Sequence, residues 1–328
     1  MSRRIASASN QASMILLATT LLSGAFAPAR SDTVRVEDAT GREVAVSDVS
    51  RIVSIGGSTT EILYALGLES RVVGVDVTSL YPPRALAEKP SVGYMRALSP
   101  EGVLGLNPSL ILAIEGAGPK DILGVLQAAS VPFVLIPDPY SGDGIVEKVR
   151  LIAKVTGTER RGRCLAEAVR ADLDAVAELR KRIDRPIRAL FVLSFLNGKA
   201  MVAGAKTAAD GIITLGGAVN AITGFEGYKP VSDEAIIAAA PDVVLAMKRD
   251  SHPMTAEMAF DHPGFRLTPA AERQAFVAMD GLYLLGFGPR TASAARELIG
   301  TFYPHLKPSV STTDGSSVGA SPAHACQE

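Results

Sequence analysis

Tryptophan is absent from this 328-residue chain, cysteine occurs twice, and histidine four times with none before His252. Each scarcity excludes something. Two cysteines cannot build a disulfide framework; Cys164 lies in a helical pattern and Cys326 in a Ser- and Gly-rich tail, and their pairing stays open. His252, His262, His305 and His324 read as loop and tail residues, which argues against a metal site built from histidine alone. A formal net charge of −1 and the lack of a long basic run leave no footprint for nucleic acid. No G-x-S-x-G elbow, H-E-x-x-H helix, P-loop or G-x-G-x-x-G turn is present, so nothing points to an enzyme.

What is present begins with a leader. Arg3-Arg4, the short apolar run from Met14 to Leu22 and the small residues Ala25, Ala27 and Ala29 have the layout of a secretory signal peptide over residues 1–29. The run is short for a membrane span, and no cysteine follows it to carry a lipid anchor. The expectation is a free, exported, periplasmic protein, with an uncleaved anchor as the alternative.

Apolar runs at 51–55, 72–75, 110–114 and 131–136 alternate with helical stretches, which predicts an α/β lobe with a parallel sheet over residues 30–143. Ser58-Thr59-Thr60-Glu61 reads as a capping box opening its first helix. Leu165, Val169, Leu173, Val176 and Leu179 recur at helical spacing and predict a long amphipathic helix over 160–183, inside a connecting segment of residues 144–184. A second α/β lobe is expected over 185–306 and a tail without periodicity over 307–328. The lobes share a unit. Ser99, Glu101, Pro108 and the run from Leu110 match Ser232, Glu234, Pro241 and the run from Val243, each pair 133 residues apart. The fold class expected is therefore α/β, with two similar lobes, each a parallel-rich sheet flanked by helices, joined by one long helix and enclosing a cleft.

Tyr81-Pro82-Pro83-Arg84 follows the second strand, at the carboxyl edge where open α/β sheets bind ligands. The prolines hold the loop out of helix, and a tyrosine phenolate is a hard donor suited to ferric iron. Phenols ordinarily stay protonated at neutral pH, so iron and a nearby cation such as Arg84 are needed to favour the anion. A rigid turn with a half-buried ring is the plainer alternative. Lys248-Arg249 ends a strand of the second lobe and could meet carboxylates of a ligand, or be solvated surface. Tyr228, Phe225 and Met254 are candidate ring contacts.

Arg51-Ile52-Val53-Ser54, Tyr81-Pro82-Pro83, Val92-Gly93-Tyr94-Met95-Arg96-Ala97-Leu98-Ser99-Pro100-Glu101-Gly102 and Gly227-Tyr228-Lys229-Pro230 together resemble haem-specific substrate-binding proteins of bacterial ABC importers. The resemblance spans the mature chain, and parts of it are shared with cobalamin- and ferric-siderophore-binding relatives. It implies transported haem as the ligand, Tyr81 on the iron, Arg84 hydrogen-bonded to the phenolate, and Arg96 beside the site. It also implies that Glu101 and Glu234 dock a permease dimer carrying a cytoplasmic ATPase, with an outer-membrane haem receptor upstream and a monomeric carrier. Some relatives stack two haems on a second-lobe histidine; with no histidine before His252, a single haem is expected. Rival readings are a cobalamin or siderophore carrier, and an exported enzyme or haem-storage protein without a transporter.

Overall fold

Short runs of consecutive apolar residues can be stable as strands only if both sheet faces are covered, and this requirement organises the first lobe. The computed structural model describes residues 33–248, 254–306 and 326; the expected signal peptide, Arg249, His252, His324 and the tail apart from Cys326 lie outside them. Strands β3 (Ile52–Ile55), β4 (Val72–Val75), β5 (Leu110–Ile114) and β6 (Phe133–Ile136) form a four-stranded parallel sheet in the order β4-β3-β5-β6, with β3, β5 and β6 buried throughout. A preceding antiparallel hairpin, β1 (Val34–Glu37) and β2 (Glu43–Val46), went unforeseen. Its period-two burial was legible in Val-Arg-Val-Glu and Glu-Val-Ala-Val. Helices α1 (Gly57–Ala65), α2 (Arg84–Glu88), α3 (Pro100–Leu104) and α4 (Lys120–Ala128) fill the crossovers.

The connecting stretch is a pair of helices, α5 (Gly142–Val155) and α6 (Glu159–Arg180). Leu165, Val169, Leu173 and Val176 form the buried stripe of α6. Gly162 lets α5 come close, since a Cβ there would lie 2.1 Å from that of Ala153.

The second lobe contains β7 (Arg188–Leu196), β8 (Lys199–Ala203), α7 (Ala208–Leu215), β9 (Val219–Asn220), β10 (Tyr228–Val231), α8 (Asp233–Ala239) and β11 (Val243–Lys248). It continues through α9 (Ala256–Asp261), α10 (Pro263–Arg266), α11 (Pro269–Glu272), β12 (Phe276–Asp280), α12 (Gly281–Leu285) and α13 (Thr291–Phe302). Its six-stranded sheet runs β10-β8-β7-β11-β12, with β9 also on β7. The β7, β9, β11 and β12 pairings are parallel, and β8 and β10 are antiparallel. The sheet is parallel-rich, as expected of both lobes, with an added antiparallel flank. Its cause is local: Asn197-Gly198, both at positive φ (50° and 74°), turns β7 straight back into β8.

Where the lobes do correspond, they correspond in atomic detail. Ser99 caps α3 by accepting from the Gly102 N–H, and Ser232 caps α8 by accepting from the Ala235 N–H. Asn107 (φ 48°) and Ala240 (φ 43°), 133 residues apart, take the same left-handed turn. Arg51 donates from Nε to the Asn107 carbonyl at 2.8 Å, and Arg188 donates from Nε to the Ala239 carbonyl at 2.8 Å. Each arginine thus opens the central strand of its sheet and ties it to the turn.

Two fastenings cross between parts distant in sequence. A disulfide joins Cys164 on α6 to the buried Cys326, pinning the chain end to the connecting helix. Lys148 on α5, fully buried, donates to Asp138 after β6, to Ser58 Oγ on α1 (3.3 Å) and to the Phe287 carbonyl between α12 and α13 (3.2 Å).

Cys164→Ser should lower stability by about 2–4 kcal/mol, seen as a drop in Tm that reductant reproduces in the parent protein and not in the variant. Lys148→Met, which strands a buried carboxylate, should cost about 3–5 kcal/mol in urea unfolding at neutral pH. Burial already pushes the Asp138 carboxyl up, against the pull of Lys148. A carboxyl raised in the folded state binds its proton there more readily than in the unfolded chain. The penalty in Lys148→Met should therefore shrink as pH falls and that carboxyl protonates.

Candidate functional site

The loops at the carboxyl ends of the first-lobe strands converge on one cleft edge. Gly56 makes the β3–α1 turn at φ 112°, where a Cβ would sit 2.5 Å from Ile114 Cγ2. Its N–H donates to Asp76 Oδ1 at 2.8 Å. Asp76, buried after β4, also accepts from the Thr78 backbone N–H (3.1 Å) and hydroxyl (2.8 Å) and from Ser79 Oγ (3.2 Å). Ser79 in turn meets Thr60 Oγ1 at 2.7 Å. The loop that ends in Tyr81 is thus strapped to α1 by a closed set of buried polar contacts.

The capping box expected at 58–61 does not form. Helix α1 begins at Gly57 with Gly56 as its N-cap and no side-chain cap, and all nine of its residues are buried. Buried hydroxyls and carboxylates take the strongest partner within reach, and here tertiary partners are available. Ser58 accepts from Lys148, and Thr60 bonds Ser54 and Ser79. Glu61 accepts from Arg290, which precedes α13 in the second lobe: from Nε at 3.1 Å, from Nη2 at 3.1 Å and from its backbone N–H at 3.2 Å. Burial pushes the Glu61 carboxyl up and the Arg290 charge opposes it.

Arg290 does more than pair with Glu61. Its guanidinium carbon lies 3.5 Å from the centroid of the Tyr81 ring and 5.3 Å from that of Tyr283. Sequence reasoning put Arg84 against Tyr81; in the structure Arg84 bonds Glu69 at 3.4 Å and lies over the Tyr64 ring at 5.5 Å. A carboxylate is the better partner for a guanidinium than a neutral phenol, which accounts for the difference. Neither Arg290 nor Glu61 was anticipated at the site, because nothing in their local sequence marks two residues 229 positions apart as neighbours.

The exposed apolar side chains Val77 and Leu80 lie on the Tyr81 loop, exposed Tyr94 follows Gly93, whose carbonyl accepts from the Val77 N–H, and Tyr140 is exposed after β6. Tyr140, also unforeseen, packs on Phe287 at 5.4 Å. Arg96 reaches the Tyr94 hydroxyl at 3.5 Å, and its charge is felt by both Tyr140 and Tyr228. Arg96 of the first lobe and Tyr228 of the second are thus electrostatic neighbours. Burial pushes up the phenols of Tyr140, Tyr228 and Tyr283, the last to about 12 with help from the Glu297 carboxylate. Those three are fixed as neutral hydroxyls.

The remaining expected residues are spread more widely. Lys248 is exposed at the end of β11, in register with Asp280 on β12. Arg249 lies outside the described residues. Phe225 and Met254 pack against the second-lobe core, and Phe225 sits under Lys229 at 5.3 Å. Glu101 and Glu234 both occupy the second turn position of a Ser-capped helix and are fully solvent-facing. Hydrogen bonds from their own backbone N–H and then from Ser99 or Ser232 hold both carboxyls below the usual glutamate range.

Comparison with known proteins is consistent with this geometry. The periplasmic heme-binding protein RhuT of Roseiflexus sp. RS-1, in its apo form, is 40% identical over 79% of this chain and 100% of that one, with a TM-score of 0.74. An uncharacterised ABC transporter substrate-binding lipoprotein, YvrC of Bacillus subtilis strain 168, is 26% identical over 88% of this chain and 95% of its own length. The vitamin B12-binding protein of Yersinia pestis strain Pestoides F is 28% identical over 60% and 68% respectively. The periplasmic binding protein family model matches residues 52–282, most of the described chain. With its two α/β lobes, the chain belongs to the periplasmic binding protein family, a family of carriers and not of enzymes.

Proposed function

We propose that this protein is the periplasmic haem carrier of an ABC importer, exported by its cleaved leader, working as a monomer and binding ferric haem in the cleft through Tyr81. The observation that carries this reading is the arrangement at Tyr81: a half-buried ring on a strapped loop that also bears exposed Val77 and Leu80, covered by a fixed cation. A porphyrin supplies four nitrogens to its iron, so one anionic oxygen from the protein completes a five-coordinate site. The Arg290 charge complements that oxygen once it is bound, while Val77, Leu80, Tyr94 and Tyr140 offer the macrocycle an apolar wall. Arg96 and Lys248 are cations available to the propionates, and Arg249 and Arg84 belong to the same proposed rim. Tyr228 contacts the ring from the second lobe. The similarity to RhuT favours haem; the weaker similarity to a vitamin B12-binding protein keeps cobalamin as the second reading.

Docking follows from the paired glutamates. Glu101 and Glu234 present one carboxylate per lobe on matched helices, a two-point charge pattern suited to arginines on a permease dimer with its cytoplasmic ATPase. An outer-membrane haem receptor would supply the cargo upstream.

Titration of the purified protein with hemin, cobalamin and ferric siderophores should show saturable one-to-one binding of hemin alone, with the absorption spectrum of a tyrosinate-ligated ferric haem. Tyr81→Ala should lose that spectrum and weaken hemin binding at least tenfold; an unchanged spectrum would remove Tyr81 from the iron. Glu101→Ala/Glu234→Ala should bind hemin normally and abolish transporter-dependent uptake. Because both carboxyls lie below the usual glutamate range, uptake by the parent should not fall from pH 7 to pH 5 through loss of their charge.

A further inference from the structure

Tyr81 belongs to the first lobe, yet the cation over its ring comes from the second. Arg290 is held on three sides. Glu61 takes its Nε and Nη2 in a two-pronged contact, so the guanidinium plane cannot rotate without breaking a bond. Its own backbone N–H bonds the same carboxylate at 3.2 Å. Tyr283 of α12 flanks it at 5.3 Å, and the turn before it is pressed onto Glu61, where a Cβ on Gly288 would lie 3.2 Å from Oε2. The guanidinium carbon of this locked cation lies 3.5 Å from the Tyr81 ring centroid.

We propose that Arg290 is a positioning residue for the cargo: with Glu61 behind it, it holds the plane of the Tyr81 ring and thereby the lone pairs of the phenol oxygen that meets the iron. This rests on Tyr81 as the iron ligand. The phenol oxygen lies on the axis about which the ring turns, so the ring plane sets the plane of its lone pairs, and an iron–oxygen bond forms along one of them. A stacked, immobile guanidinium fixes the plane before cargo arrives, so the ordering cost is met in the empty protein. The same contact joins the lobes, because Tyr81 and Glu61 belong to one and Arg290 to the other.

Arg290→Lys tests this, since lysine keeps the charge and loses both the fork and the planar stack. Hemin binding should weaken about tenfold, and the iron–phenolate stretching band in resonance Raman should shift or broaden. Lys148→Met is the comparison: it loosens the same inter-lobe floor without touching Tyr81, and should lower stability while leaving the band in place. If Arg290→Lys moves the band no more than Lys148→Met does, the proposal fails. If Arg290→Lys does not fold, Glu61→Gln, which keeps the shape and removes the charge that anchors Arg290, must move the band in the same way, and an unmoved band overturns the proposal. Tyr81→Phe separates this idea from the one beneath it: a phenolate band that survives Tyr81→Phe refutes the ligand assignment, whereas its loss there with no change in Arg290→Lys refutes only the role of Arg290.

Discussion

Glu61 and Arg290 meet out of water where the first helix of one lobe faces the residue that opens the last α-helix of the other, and much of the site is arranged around that meeting. Taking both charges from solvent is expensive, and only good geometry with full hydrogen bonding offsets it. Here the offset is visible: two side-chain bonds and one backbone bond converge on one carboxylate. Lys148, equally buried, ties Asp138, Ser58 and the Phe287 carbonyl into the same floor. A cleft with such a floor has walls that are already registered on each other. That favours small motions on loading over a wide hinge, in keeping with the long α6 linking the lobes.

The two lobes repeat a module and diverge around it. The module is an arginine-anchored central strand, a left-handed turn before proline and a Ser-capped helix bearing an exposed glutamate. It places one carboxylate on each lobe. The first lobe keeps an all-parallel sheet whose loops carry Tyr81, Arg96 and Tyr140. The second folds β8 and β10 back antiparallel and thereby brings Tyr228 beside Phe191, their ring centroids 6.3 Å apart.

Much of this was readable along the chain because the signals were local. Four buried strands, the amphipathic connecting helix and the Ser-Glu units each announce themselves within a few residues through hydrophobic period or cap chemistry. Two local signals were passed over. Val34 to Val46 alternates as a hairpin should, and Asn197-Gly198 between apolar runs is a strong hairpin turn. The Ser58 to Glu61 capping box failed for the opposite reason. Its pattern was present, but complete burial of α1 placed stronger partners within reach of each side chain.

By itself the sequence determined the α/β class, the doubled architecture, the Tyr81 loop at a strand's carboxyl edge and the matched glutamates, because strands, helices and caps are written in spacings of two to four residues. Only the tertiary structure decided which cation covers Tyr81, that Cys164 joins Cys326, and that Glu61 closes the lobes and does not cap a helix. Those contacts span 162 to 229 residues, and no local pattern encodes them. They follow from the folding of two sheets around a shared floor, where a buried charge must find its counter-charge wherever the chain has carried it.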